Sequence, residues 1–283
     1  MEARAQGSRP AIVFSRAGAA SVPRRRRHRT GGAEAGVTVA HPIERRTPAP
    51  TPWGARAAGV YTEPYAERYR AHDETARAGQ AVAHLAAWLR AICDRFGRPI
   101  AVLDLGCGTG RYFHALAHVR RLVGIDVSRP MLERARRPVG DVAVPADRIA
   151  LVEGDFLQHE FQPGEFDLVY SIGVLGEHSP FDEAIASRVA RWLAPGGRFA
   201  FTTVHPSSPS VPRTMKRRVA ERLLPAVPAP WRSGLRDRLM SGGLYADEAR
   251  VREVLRLADL GPESIEPFAS DVHLHVLAVA RKP

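Results

Sequence analysis

The sequence predicts an α/β fold: a doubly wound, mostly parallel sheet of seven strands ending in an antiparallel C-terminal hairpin. Three observations carry this. Short apolar runs alternate with helix-period segments from Ile100 to Val204. Ala101 to Tyr112 reads as an apolar strand running into Gly106, Gly108 and Gly110, a strand–turn unit that lets a ligand approach the backbone. Asp104, Asp126, Asp155 and Ser171 all fall at or just after the carboxyl ends of expected strands, where open α/β sheets bind ligands.

The elements follow in order. Thr62 and Pro64 mark a helix start leading into Tyr65 and Tyr69. Val82, Leu85, Leu89, Ile92 and Phe96 step by three and four, an amphipathic stripe closed by Gly97 and Pro99. Ile100–Leu105 is strand one, with a helix expected through Phe113 and Leu116. Arg121–Asp126 is strand two, and Ser128 with Pro130 opens the next helix. Ile149–Glu153 and Phe166–Ile172 are strands three and four. A helix through Ile185, Val189 and Leu193 stops at Pro195-Gly196-Gly197, before strand five at Arg198–Val204. Tyr245–Leu260 is helical, and Glu263–Phe268 and Val272–Ala280 form the last two strands.

Composition sets the outer limits. The 283 residues suffice for a substantial core. Net charge is +11, yet residues 1–60 hold 11 Lys and Arg against 3 Asp and Glu, so +8 sits there and +3 in the rest. The high charge is therefore poor support for nucleic-acid binding by the folded part. Residues 1–60 read as a disordered basic tail, with the domain spanning 61–283. The tail composition is compatible with a transit peptide or with a native start near Val37 or Val60. Residues 205–244 interrupt the rhythm and read as a lid insertion; from Arg213 to Arg238 they hold eight Lys and Arg against two acids. Cys93 and Cys107 make no disulfide framework or C-x-x-C pair, which suits a reducing, cytoplasmic compartment. No apolar run approaches the ~20 residues of a membrane span. No His/Asp/Glu group has metal-ligand spacing, so a metal-independent protein is expected.

The glycine spacing departs from the dinucleotide fingerprint: the third glycine comes one residue early and Arg111 stands where that pattern wants glycine. A carboxylate just before the turn, Asp104, would repel a pyrophosphate and suits an ammonium group. The pattern acidic-x-G-x-G-x-G resembles motif I of class I S-adenosylmethionine-dependent methyltransferases, and the resemblance covers roughly Tyr61 to Lys282. It implies a Rossmann-like sheet, S-adenosyl-L-methionine as cofactor and methyl transfer. It also implies site roles: Asp104 toward the methionine amino group, Gly106, Gly108 and Gly110 beneath the amino-acid part, and Asp126 taking both ribose hydroxyls. Asp155 would receive the adenine amino group. Phe156 and Val127 either flank the ring or simply pack. Ser171 opens the segment lining the transferring methyl. Asn-Pro-Pro-Tyr, which marks amino-directed DNA and protein-glutamine enzymes, is replaced by Tyr170-Ser171-Ile172-Gly173-Val174-Leu175. That points to a small-molecule acceptor.

His178 and His205 follow strands four and five and are the candidate general bases, with Glu177 behind them. Tyr61, Tyr65 and Tyr69 either close over the cofactor or pack a helix on the sheet. An RNA methyltransferase, a non-catalytic S-adenosylmethionine-binding protein and, last, a dehydrogenase are the competing readings.

Overall fold

The computed structural model describes residues 38–39, 41–45, 48–76, 79–211, 223, 226–228, 244–270 and 273–283. Its strands, in chain order, are β1 (Glu44–Arg45), β2 (Ile100–Leu105), β3 (Val119–Asp126), β4 (Ile149–Glu153), β5 (Phe166–Ser171), β6 (Leu193–Val204), β7 (Gly261–Ala269) and β8 (Leu274–Arg281). They join in one sheet of order β1-β4-β3-β2-β5-β6-β8-β7. Pairings from β1 through β6 are parallel, and those of β6 with β8 and β8 with β7 are antiparallel. The seven expected strands are present, and the two-residue β1 adds an eighth at the edge. Two charged residues carry no strand period, so only their pairing with Val152 and Glu153 makes β1 a strand.

The described helices are α1 (Pro52–Val60), α2 (Glu63–Ala76), α3 (Gln80–Asp94), α4 (Arg129–Ala135), α5 (Glu183–Trp192) and α6 (Glu248–Leu257). Alternation along β2 decides the layers. Ala101, Leu103 and Leu105 enter a core shared with α5 and α6 through Ile185, Val189, Trp192, Val251 and Leu255. Ile100 and Val102 enter the opposite core, with Leu85, Leu89 and Ile92 of α3 and Leu132 of α4. Both sheet faces are covered, as continuous apolar strands require.

The helix expected after the glycine turn is instead one 3-10 turn, Phe113–Ala115. Length is the reason. Eight residues separate Gly110 from β3, and as an α-helix they would span only about 12 Å. The return past a six-residue strand needs about 20 Å. The chain therefore runs mostly extended, and α3 covers that face of the sheet.

Order among the described residues also begins earlier than Tyr61. Val39 and Ile43 are buried in the core, and α1 precedes Tyr61. The tail boundary expected at residue 60 is thus corrected: residues 36–283 form one compact unit. The disorder expected of residues 1–37 lies outside the described residues, as does most of the expected lid. No helix among the described residues is long and apolar enough to cross a membrane.

Candidate functional site

The sheet reverses its winding at β2, which lies between β3 on one side and β5 on the other. A crevice opens at such a switch point, and the three-glycine turn occupies it. Gly106, Gly108 and Gly110 all have positive φ, +73°, +53° and +74°. Gly106 needs both the conformation and the missing side chain, because a Cβ there would sit 2.6 Å from Val174 Cγ2. At Gly108 the nearest neighbour of a Cβ would be Met131 Cε, 3.3 Å away. Its freedom serves the turn itself: the Gly108 N–H is aimed at Asp126.

Asp126 ends β3 as expected. Its Oδ2 accepts from Gly108 N at 2.9 Å and its Oδ1 from Ser128 N at 2.8 Å. Burial pushes its carboxyl up to about 6, against the pull of those N–H groups. Val127 beside it is half-buried. Asp104 lies beneath the turn and is buried. The Tyr170 hydroxyl donates to its Oδ2 at 2.6 Å. Burial foremost pushes its carboxyl up to about 8; the Tyr170 bond opposes this and the Asp126 charge adds to it. A cation arriving above Asp104 would restore its charge, which suits the cationic ligand inferred from the turn.

Asp155 follows β4 as expected, but its carboxylate is engaged. Oδ2 accepts from both Thr51 N, at 2.8 Å, and Thr51 Oγ1, at 2.6 Å, while Oδ1 accepts from Leu157 N at 2.9 Å. Thr51 is the N-cap of α1, so the helix start is docked on the carboxylate. Phe156 takes the packing role, buried in the core of α5 and α6. Ser171 ends β5 fully buried, and its hydroxyl donates to Leu105 O at 3.0 Å, tying β5 to β2.

The two histidines separate. Beyond β5 the N–H groups of Glu177, His178 and Ser179 all donate to Val174 O, a tight turn that fixes their side chains. His178 Nε2 lies 2.5 Å from the Tyr61 hydroxyl and 4.0 Å from Glu177 Oε2. Burial holds its imidazole below the usual range, against the nearby Glu177 charge and with help from Arg56. Burial raises the Glu177 carboxyl, but the hydrogen bond with His275 and the charges of His178, His275 and His273 outweigh it, leaving it below its ordinary value. His205 lies apart from this cluster, just beyond β6. Its Nδ1 accepts from Ser207 N at 3.0 Å and its Nε2 is 3.6 Å from Glu248, so both nitrogens serve the junction of β6 with α6.

Tyr61, Tyr65 and Tyr69 form one aromatic cluster, with Tyr61 and Tyr65 edge to face at 4.9 Å and Tyr65 stacked on Tyr69. Arg111 lies over Tyr69, 4.5 Å from the ring centre, and pairs with Asp73 at 2.6 Å. Asp73 also accepts from Thr109. The glycine turn is therefore clamped by α2 through a buried acid that no sequence motif marks. Thr51 was equally missed, although Thr51-Pro52 carries a helix-start signal, an N-cap followed by proline at the first helical position.

A family model described as a methyltransferase domain matches residues 102–197. The sterol 24-C-methyltransferase of Clavispora lusitaniae is 34% identical over 100 residues, 35% of this chain and 26% of that protein. The demethylmenaquinone methyltransferase of Lactiplantibacillus plantarum is 36% identical over 115 residues, 39% of this chain and 48% of that protein. An S-adenosyl-L-methionine-dependent Diels-Alderase of Talaromyces variabilis is 34% identical over 105 residues, 36% of each. The chain thus spans between a quarter and half of these relatives' length. Magnesium protoporphyrin IX methyltransferase of Synechocystis, solved with bound cofactor, shares the fold at 18% identity and a TM-score of 0.54, over 84% of this chain and all of that one. Sheet order, glycine turn and family match agree: residues 102–197 match a methyltransferase domain, and the chain is similar there to S-adenosylmethionine-dependent methyltransferases.

Proposed function

We propose that the protein binds S-adenosylmethionine at the β2–β3–β4 strand ends and passes its methyl group to a small organic acceptor. The observation that carries this reading is Asp126, a half-buried carboxylate bonded to the N–H of Gly108 inside a three-glycine turn at the switch point of the sheet. The residues fit the cofactor. A side chain at Gly108 would already crowd Met131, its Cβ 3.3 Å from Met131 Cε, and Asp104 beneath the turn is a carboxyl that a cation would recharge. We assign Asp126 to the ribose hydroxyls, Asp104 to the amino-acid end, and Asp155 to the adenine amino group.

The sulfonium supplies the activated methyl. The chain's part is to align the acceptor, exclude water and take a proton where the nucleophile carries one. His178 is our candidate for that proton. It is held neutral near neutral pH by burial, and Glu177 stands 4.0 Å away to steady the charged form. Matches to sterol and demethylmenaquinone enzymes favour a small apolar or quinone-like acceptor. The two buried, unpaired cysteines favour a cytoplasmic setting.

One observation favours a second reading: the Diels-Alderase match is to a protein that uses the same cofactor without being named a methyltransferase. Incubation with a panel of quinols, phenols and sterols separates the two. Release of S-adenosylhomocysteine with one of them, lost in Asp126→Ala, supports transfer. Tight cofactor binding with no release across the panel supports the second reading.

A further inference from the structure

We propose that Thr51, at the start of α1, competes with the cofactor's adenine for the Asp155 carboxylate, so that α1 must let go of Asp155 before the cofactor is fully seated. The inference rests on the assignment of Asp155 to the adenine amino group. Under that assignment, this part of the binding site is held shut by the chain's own N-terminal segment.

The geometry leaves the carboxylate no spare capacity. A carboxylate offers about four lone-pair sites. Thr51 takes two of them at 2.8 and 2.6 Å and Leu157 N takes a third at 2.9 Å. The fourth is covered, because Asp155 is only 4% exposed. Nor can a flat ring slide between helix and acid: α1 approaches so closely that a Cβ on Gly54 would stand 2.3 Å from Asp155 Oδ2. Thr51 acts in two directions at once. Its Oγ1 donates to Asp155 and accepts from Gly54 N at 3.1 Å, so helix cap and latch are the same hydroxyl.

The segment is held independently at its other end. Ser128 Oγ donates to Tyr61 O at 2.5 Å, and the Tyr61 hydroxyl meets His178. Release of Thr51 therefore frees Asp155 while Tyr61 keeps the segment near the site. Adenine's amino group would replace the Thr51 donors on the same oxygen, an exchange of like bonds. The cofactor's apparent affinity is then reduced by the fraction of molecules in which the latch is open.

The test is calorimetric titration of the full chain with S-adenosylmethionine for wild type, Thr51→Val, Thr51→Ser and Gly54→Ala. Thr51→Val removes the hydroxyl donor at constant shape. Gly54→Ala forces the helix off Asp155 while favouring helix formation, so a loss of α1 would not explain its effect. The expected result is binding about tenfold tighter in both Thr51→Val and Gly54→Ala, the scale of one bond to a charged group, with Thr51→Ser like wild type. Unchanged or weaker binding in either variant overturns the competition. The underlying assignment has its own probe: wild type should prefer S-adenosylhomocysteine to S-inosylhomocysteine, which lacks the amino group, and Asp155→Asn should lose that preference. A wild type without the preference overturns the Asp155 assignment and the proposal with it. A clear preference without tightening in the variants overturns the competition alone.

Discussion

Asp126 ends β3 and Asp155 follows the neighbouring β4 by two residues, and the same sequence logic marks both, yet their partners differ in kind. Asp126 is held by its own surroundings: Gly108 of the adjoining turn and Ser128 two residues on. Asp155 is held mainly by Thr51, 104 residues earlier in the chain. The first carboxylate is organised by elements that the strand–turn pattern already implies. The second is organised by a helix that docks from outside that pattern. A strand-end acid is thus legible as a site, while its availability is set by whatever packs upon it.

The sharpest way to break the local side of this contrast is Gly108→Val. A branched side chain at φ +53° fills the ligand's approach and strains the turn. S-adenosylmethionine affinity should fall about 100-fold or more, read by calorimetry; retained affinity would put the ligand elsewhere. Asp126→Ala comes next, with a loss of about 1.5–3 kcal/mol in cofactor binding, the scale of hydrogen bonds to a charged group. Asp155→Ala should cost less than Asp126→Ala, because Thr51 already uses the bonds that adenine would gain. Equal losses at the two positions would erase the distinction.

Asp104 gives a smaller, pH-dependent effect. Its carboxyl is pushed up to about 8 in the folded protein from an ordinary value of about 4. The folded state then keeps a proton that the unfolded chain has released, so this contribution is complete below the ordinary value and is lost as pH rises toward 8. Asp104→Asn should flatten the fall of Tm between pH 5 and 8. Above pH 8 it should leave the variant with a higher Tm than wild type. A variant with the wild-type slope would show that Asp104 ionises normally. The smallest effect is expected of His205→Gln, whose ring serves a loop: cofactor affinity should change by less than about twofold, within the range of a surface substitution.

Much of the fold was readable because its signals are local. Continuous apolar runs such as Ile100–Leu105 and Ile149–Glu153 have the length and composition of buried strands, and both are strands over those residues. The unread parts depend on long-range contact. β1 is two charged residues that become a strand only by pairing with β4. Asp73 looks like any acid on a polar helix, and its burial follows from Thr109 and Arg111 meeting it from the glycine turn. Ser171 and His205 were placed at the correct strand ends, but their polar atoms are taken up by Leu105, Ser207 and Glu248. Thr51-Pro52 carried a local helix-start signal that the basic, proline-rich composition around it obscured.

The three-glycine turn and Asp126 stand or fall together as an S-adenosylmethionine site. Calorimetric titration of the full chain with S-adenosylmethionine, with NADH as control, tests it most directly. Saturable micromolar binding of S-adenosylmethionine, sharply weakened in Asp126→Ala, and no heat of binding with NADH are expected. A folded protein that binds NADH and not S-adenosylmethionine would contradict it.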